Sequence, residues 1–293
     1  MGLTNKIEWK KNLSPMGMCI RVCKHEESLK TKYKFVSLCQ LLKMDMMEKR
    51  EVRRVVVMGA TSGIGYEVAK CFLEAGWRVG VAGRRKELLK AFQAMDPDRI
   101  CIAEIDICQL GAEQKLLSLV DELGGMDLYF HSSGIGHQNP HLNVETELRT
   151  LETNGRGFLQ MVLAAFQYFE KQGKGHIAVI SSIAGTKGLG VAPAYSATKR
   201  FQNTYIEALE QLMNMRRLPI HFTDIRPGFV ATDLLAGDKK YPLQLSAACV
   251  GKQIVHAVLQ RKRVVVVDWK YRILVFFWRC IPRFLWRRLV VRN

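Results

Sequence analysis

"MGATSGIG", residues 58–65, decides how the rest of the chain is read. It follows "RVVVMG" (54–59), an apolar β-branched run of the kind that forms a buried strand, and it opens a segment with Ile64, Val68, Ala69, Phe72 and Leu73 at helical spacing. A tight strand-to-helix turn needs a residue free to take positive φ, and Gly59 supplies it. Gly63 lets the backbone approach a pyrophosphate, and Gly65 lets the new helix pack closely on the strand. Thr61, Ser62 and Ile64 fill the same turn and join the candidate cofactor contacts. The helix N-terminus adds free N–H groups and the positive end of a dipole, both suited to phosphate. Glycines also mark plain turns, so the weight rests on the setting: strand before, helix after, and a βαβ pattern around them.

Working outward, the alternation continues. "RVGVAG" (78–83) is a strand and "KELLKAFQAM" (86–95) a helix, and strands are predicted near 100–105, 127–132, 176–181, 220–225 and 263–267 with helical stretches between. Seven strands alternating with helices predict an α/β fold: a doubly wound, Rossmann-type parallel sheet of seven strands, covered on both faces. The expected organisation is a basic, poorly ordered N-terminal extension over 1–50, a dinucleotide-binding catalytic domain over 51–268, and a basic aromatic tail over 269–293. A start codon assigned too early would also account for the extension, which is Lys-rich and uneven in pattern, with one weak apolar stripe.

The chain of 293 residues carries a net charge of +17, which taken alone suggests nucleic acid or an anionic surface. The charge is uneven. Residues 1–54 hold 13 Lys/Arg against 6 Asp/Glu, residues 261–293 hold 10 against 1, and the stretch between holds 21 against 20. A nucleic-acid-binding domain would carry its basic residues on the folded body as well, so no nucleic-acid partner is expected. Eight cysteines are scattered without a C-x-x-C pair, and no secretory signal pattern stands at the N-terminus, so reduced thiols and a cytoplasmic protein are expected. Cys19, Cys23, His25 and Cys39 fit no zinc spacing, and no metal is expected.

After the second strand comes "AGRRKE" (82–87). An acidic residue at that strand end would bond the ribose 2′-hydroxyl of NAD; here Gly83 leaves space, and Arg84 and Arg85 offer guanidinium groups to a 2′-phosphate. NADP(H) is favoured, with NAD(H) as the alternative. The bland reading, a solvated start to the next helix, suits Arg85 better than Arg84. Further on, "IAVISSIAG" (177–185) runs a strand into a Ser-Ser pair, and Ser182 precedes Tyr195 by thirteen residues. Lys199 lies one helical turn beyond Tyr195. A phenol titrates at about pH 10, too high for easy proton transfer at neutrality; the Lys199 ammonium and the positive ring of an oxidised nicotinamide would favour the phenolate.

Gly59-x3-Gly63-x-Gly65, Asn154, Ser182, Tyr195-x3-Lys199 and "RPGFVATD" (226–233) resemble the short-chain dehydrogenase/reductase family over about residues 53–267. The resemblance implies catalysis by Asn154, Ser182, Tyr195 and Lys199. Tyr195 would exchange the proton with the substrate oxygen, and Ser182 would polarise that oxygen. Lys199 would bind the nicotinamide ribose and lower the tyrosine pKa, and Asn154 would hold a water. It implies cofactor contacts at Asp106 and Ile107 near the adenine, at Gly134, and at Pro227, Gly228, Val230 and Thr232 near the carboxamide. It also implies a homo-dimer or homo-tetramer. One departure stands out: where the family has Asn-Asn-Ala-Gly, this chain has His131-Ser132-Ser133-Gly134, and His131 reads as a structural hydrogen-bonder. Phe201, Tyr205, Leu209 and Leu212, at apolar spacing on the Tyr195 helix, read as core.

The tail, "WKYRILVFFWRCIPRFLWRRLVVRN" (269–293), puts Arg272, Arg279, Arg283 and Arg287 near one face and Ile273, Phe277, Ile281, Phe284, Leu285 and Leu289 on another. No apolar run reaches the roughly 18 residues of a membrane span. A peripheral membrane contact and a lid or subunit contact both remain open, with Pro282 as a break between two short helices. The function expected is an NADPH-preferring oxidoreductase that interconverts a ketone and a secondary alcohol, on a hydrophobic, steroid- or lipid-like carbonyl. Segment 229–245 is expected to close over the substrate. The alternative is a catalytically silent NADP(H)-binding regulatory or interaction protein.

Overall fold

The computed structural model describes residues 52–232 and 243–291. The expected extension over 1–50, with Cys19, Cys23, His25 and Cys39, and most of the substrate segment lie outside the described residues. In chain order the elements are β1 (Arg54–Met58), α1 (Gly63–Glu74), β2 (Arg78–Gly83), α2 (Lys86–Gln93), β3 (Ile100–Glu104), α3 (Ala112–Leu123), β4 (Leu128–His131) and α4 (Val144–Leu151). A π-helical turn, Glu152–Gly157, joins α4 to α5 (Phe158–Gln172). Then come β5 (Gly175–Ile180), a 3₁₀ turn (Ile183–Thr186), α6 (Pro193–Arg216), β6 (Ile220–Arg226), the short strands β7 (Val230–Ala231) and β8 (Leu245–Ser246), α7 (Ala247–Leu259), β9 (Val264–Val266), α8 (Trp269–Cys280) and α9 (Arg283–Trp286).

The seven expected strands form one parallel sheet in the order β3-β2-β1-β4-β5-β6-β9. Burial on both faces explains why β1 reads as an unbroken apolar run. Val56 and Met58 pack with Leu116, Leu119, Phe158 and Phe169 on the α3–α5–α6 side, while Val55 and Val57 pack with Val68, Phe72, Leu89 and Ile254 on the α1–α2–α7 side. Each such fully buried side chain contributes roughly 1.5–3 kcal/mol. The strand order reverses between β1 and β4, which leaves a crevice at the carboxyl ends of these two neighbours. Register brings Met58 beside His131 and His131 beside Val179, so the glycine turn, the His-Ser-Ser-Gly segment and the Ser-Ser pair emerge along one edge.

Two features depart from expectation. β7 and β8 pair in a separate two-stranded ribbon that brackets the substrate segment, and the sequence reading contains neither. On α6, Leu209 is buried and Tyr205 and Leu212 pack against the core, but Phe201 is 40% exposed. Phe201 lies on the rim of that face, stacked on Tyr205 with ring centroids 5.7 Å apart.

Candidate active site

The glycine turn is built as its residues require. Gly59 takes φ +88°, and a Cβ there would sit 2.7 Å from the Ser133 backbone nitrogen. A Cβ on Gly65 would lie 2.2 Å from the Gly59 carbonyl oxygen, so helix and strand meet at a distance only glycine permits. The turn is tied to β2 by Gly59 and Ala60 N–H groups that donate to the Ala82 carbonyl at 2.8 and 3.1 Å. Ser62 is the N-cap of α1 but its hydroxyl does not cap the helix, and Ile64 packs on the core below. Thr232 closes the far side: a Cβ on Gly63 would touch its methyl at 3.0 Å. Together these form a cradle of backbone donors at the positive end of a helix, which fits a pyrophosphate.

The two arginines take separate places. Arg85 reaches back over the turn, its Nε and guanidinium nitrogen donating to Thr61 Oγ1 at 3.1 and 2.9 Å and to Ser62 Oγ at 2.5 Å. Arg84 lines a cavity of about 270 Å³ together with Glu104, Asp106, Gln109 and Lys115. The space foreseen at Gly83 is taken by the Thr61 methyl, 2.9 Å from where a Cβ would be. Asp106 accepts from the Cys108 N–H at 3.0 Å, and Ile107 is buried against Gly157. Lys115 was not singled out in sequence, because it is one cation among many on the solvent side of a helix.

The second cluster stands where β4, β5 and α6 converge. Asn154, in the π-helical turn, is fully buried. Its Oδ1 accepts from Ile135 N at 2.9 Å and its Nδ2 donates to Ile135 O at 2.7 Å. Gly134 sits directly beside it, since a Cβ there would be 3.1 Å from Asn154 Oδ1 and 3.6 Å from Lys199 Nζ. Lys199 Nζ donates to Ile180 O and to Gln202 Oε1, both at 3.0 Å, and Gln202 Nε2 donates to the Asn154 carbonyl at 2.8 Å. Gln202 is therefore the link between lysine and asparagine. At helical spacing in sequence it looks like any polar residue on α6, and only the fold shows that it faces inward.

Burial lowers the Lys199 pKa from its usual 10.5 to about 8, against the opposing pull of the Asp224 carboxylate. Asp224 pairs with Arg226 at 2.6 Å and accepts hydrogen bonds from Ser181 and Asn203. The Lys199 ammonium lies 5.8 Å from the centre of the Tyr195 ring, and the Tyr195 phenol is hydrogen-bonded with Ser182. Burial pushes the phenol above its ordinary value and the Ser182 bond pulls it back. The lowering expected of Lys199 together with an oxidised nicotinamide is thus not produced by the protein's own groups alone, among which burial has the larger effect. Ser182 also caps the 3₁₀ turn, accepting from Ala184 N at 3.1 Å, and its hydroxyl lies 3.5 Å from the Pro227 carbonyl. Gly228 lies under the Tyr271 ring, and Val230 is buried in the core below the crevice.

One support, Glu147, escaped the sequence. Glu147 accepts from Ala194 N in the first turn of α6 at 2.9 Å and from Asn139 Nδ2 at 2.9 Å, so a carboxylate fixes the positive end of the helix that carries Tyr195. His131 is fully buried, with Nδ1 2.9 Å from the Tyr129 hydroxyl. Burial first, and Lys199 second, lower its pKa to about 3, which leaves it neutral and structural.

A nucleotide cradle and an Asn/Ser/Tyr/Lys cluster on one edge of a doubly wound sheet define an NAD(P)-dependent oxidoreductase acting on CH–OH or C=O groups. Residues 53–241 match the short chain dehydrogenase family model, and the chain belongs to that family. It is 30% identical over 244 residues to an uncharacterized oxidoreductase of Mycobacterium tuberculosis, covering 80% of this chain and 93% of that one. It is likewise 30% identical over 180 residues to the NADP-dependent 3-hydroxy acid dehydrogenase of Escherichia coli, covering 60% of this chain and 72% of that one. A short chain dehydrogenase from Burkholderia cenocepacia in complex with NADP superposes with a TM-score of 0.70 at 21% identity, over 83% of this chain and 99% of the other.

Proposed function

We propose that the protein is an NADPH-preferring reductase that interconverts a ketone and a secondary alcohol on a hydrophobic substrate. The observation that carries the reading is the hydrogen-bonded path from Asn154 through Gln202 to Lys199, beside the Tyr195–Ser182 pair. A bound nicotinamide dinucleotide supplies the hydride. In the reductive direction Tyr195 donates its phenolic proton to the carbonyl oxygen, and burial favours the neutral phenol that this step needs. Ser182 hydrogen-bonds the same oxygen and stabilises the charge that develops on it. Lys199, charged below about pH 8, would hold the ribose of a bound cofactor and stabilise the phenolate left behind. Asn154 fixes the Ile135 backbone with both ends of its amide, and its own carbonyl holds Gln202 against Lys199. An intact, closely grouped Ser/Tyr/Lys set argues against a silent nucleotide-binding protein.

NADPH preference is supported by Arg84 and Lys115, two cations on the cavity beside Asp106. A 2′-phosphate there meets charge that the ribose 2′-hydroxyl of NADH does not use. The apolar cluster of Ile183, Tyr271 and Val275, with Phe229 and Leu274 packed on it, adjoins Ser182 and favours an apolar carbonyl over a sugar. Leu148 and Leu151 of α4 and Phe201 of α6 are exposed and support homo-oligomer formation. The test is a panel of carbonyls and alcohols, including a 3-hydroxy acid, assayed with both cofactor pairs. Turnover of an apolar ketone with NADPH, faster than with NADH, is the expected result. A panel in which only polar hydroxy acids react, or in which NADH is preferred, overturns the reading.

A further inference from the structure

The arm formed by α8 and α9 has two apolar sides. Its inner side belongs to the protein: Tyr271 and Val275 are buried, the Tyr271 hydroxyl accepts from Phe229 N at 3.0 Å and donates to Leu243 O at 3.1 Å, and its ring lies flat on Gly228. Its far end is bonded to the loop between Ser182 and Tyr195. Lys187 Nζ donates to Ile281 O at 2.8 Å, and Trp286 Nε1 donates to Gly188 O at 2.7 Å. The sequence reading placed Ile273 and Phe277 on the arm's apolar side and left open what that side meets. The structure turns them outward, because Tyr271 and Val275, one turn apart, set the inner face.

The outer side is the unusual one. At 100° per residue, Trp269, Ile273, Phe276 and Phe277 share the side of α8 opposite Tyr271 and Val275, and they are 62%, 49%, 63% and 61% exposed. A soluble helix places its charges there. Here the charges stand at the flank and beyond: residues 269–291 hold Lys270, Arg272, Arg279, Arg283, Arg287 and Arg288 and no Asp or Glu. After the break at Pro282, Phe284 and Leu285 are again exposed. No described helix is long and apolar enough to cross a membrane.

We propose that this outer face docks on an anionic lipid bilayer, with Trp269, Ile273, Phe276 and Phe277 in the interfacial layer and the arginines on the headgroups. An apolar stripe edged by long cationic side chains is the geometry of a helix lying in the lipid interface, where the aliphatic stems reach down and the charges stay at headgroup level. Charge separates this occupant from a second copy of the chain. Pairing two such faces brings six cations from each copy together with no acidic residue on either arm, whereas phosphatidylglycerol-type headgroups neutralise them. Since the arm is bonded to the loop beside Ser182, docking holds that loop next to the bilayer.

The test uses the full chain. Vesicle flotation is measured on phosphatidylcholine alone and on phosphatidylcholine mixed with phosphatidylglycerol, for the wild type, for Phe276→Ser/Phe277→Ser and for Arg279→Gln/Arg283→Gln. The wild type floats with the anionic vesicles and not with the neutral ones, each double substitution cuts the bound fraction roughly tenfold, and high salt does the same. Melting temperature and NADPH affinity stay unchanged in both variants. Absence of wild-type flotation, equal flotation on neutral vesicles, or flotation untouched by both double substitutions overturns the proposal. So does a variant that changes the sedimenting mass but not flotation, which makes the occupant a second copy. Quenching of wild-type tryptophan emission by brominated phosphatidylglycerol reads insertion without any substitution, and unquenched emission on bound vesicles also overturns it.

Discussion

The turn at 58–65 and the arm at 269–291 both present a helix to something outside the protein, and they do so by opposite means. At the turn the backbone is the instrument: side chains shrink to glycine, N–H groups face the crevice, and a Cβ on Gly65 would collide with the Gly59 carbonyl at 2.2 Å. At the arm the backbone is hidden in helical bonds and the side chains are the largest available, aromatic and guanidinium. The catalytic cluster lies between the two and resembles neither, since nearly every polar atom in it already has a protein partner. Under the two proposals, a substitution at the turn or cluster changes chemistry and cofactor binding, while one on the arm's outer face changes where the protein sits.

The largest effect that would sharpen this contrast is at the cluster. Tyr195→Phe is expected to lower turnover of a reactive diketone roughly 10³-fold while NADPH fluorescence still titrates normally, because the proton donor is lost and the cradle is untouched. Full activity in that variant breaks the assignment. At the turn, Gly65→Ala is expected to cost about 1–3 kcal/mol of unfolding free energy, read by denaturant titration, together with weaker NADPH binding. Unchanged values would mean that the helix can slide to make room.

The pH profile separates the buried lysine from the exposed cations of the arm. The Lys199 pKa is lowered to about 8, so its ammonium is present below that pH and lost above it; kcat/KM in the reductive direction should fall about fivefold from pH 8 to pH 9. Asp224→Asn removes the carboxylate that raises this pKa, so the falling limb should move to lower pH. A limb that moves up, or stays, contradicts the coupling. Arg84→Ala should reduce the NADPH-over-NADH preference roughly tenfold, measured as the ratio of kcat/KM values, by removing one charge-assisted contact. Smallest is Trp286→Phe, which loses the bond to Gly188 O and should cost about 0.5–1.5 kcal/mol in thermal unfolding with turnover nearly kept.

The sheet, its seven strands and the glycine turn were legible because each rests on local rules: β-branched runs, helical spacing, and glycine where φ is positive. Ser182, Tyr195 and Lys199 were legible as a spaced set. What was not legible depends on orientation across long separations. Gln202 needs the facing π-helical turn to become a link, Glu147 needs Asn139 and Ala194 to become a helix anchor, and Lys115 needs the cavity beside Arg84. The separate places of Arg84 and Arg85 have the same origin, since adjacent side chains leave a chain in different directions and sequence does not say which one turns back over Thr61. The arm was read as one stripe of each kind, but its inner face is chosen by Tyr271 docking on Gly228, a contact 43 positions apart in sequence.

The clasp on the loop between Ser182 and Tyr195 sets an order of events during biosynthesis. Lys187 and Gly188 find their partners 94 and 98 residues downstream, at Ile281 and Trp286. On the ribosome the sheet edge, the glycine turn and the tyrosine helix all emerge before those partners exist. A nascent chain can therefore gain its nucleotide cradle well before its substrate side is fastened, and that side is completed only when the arm folds back across it.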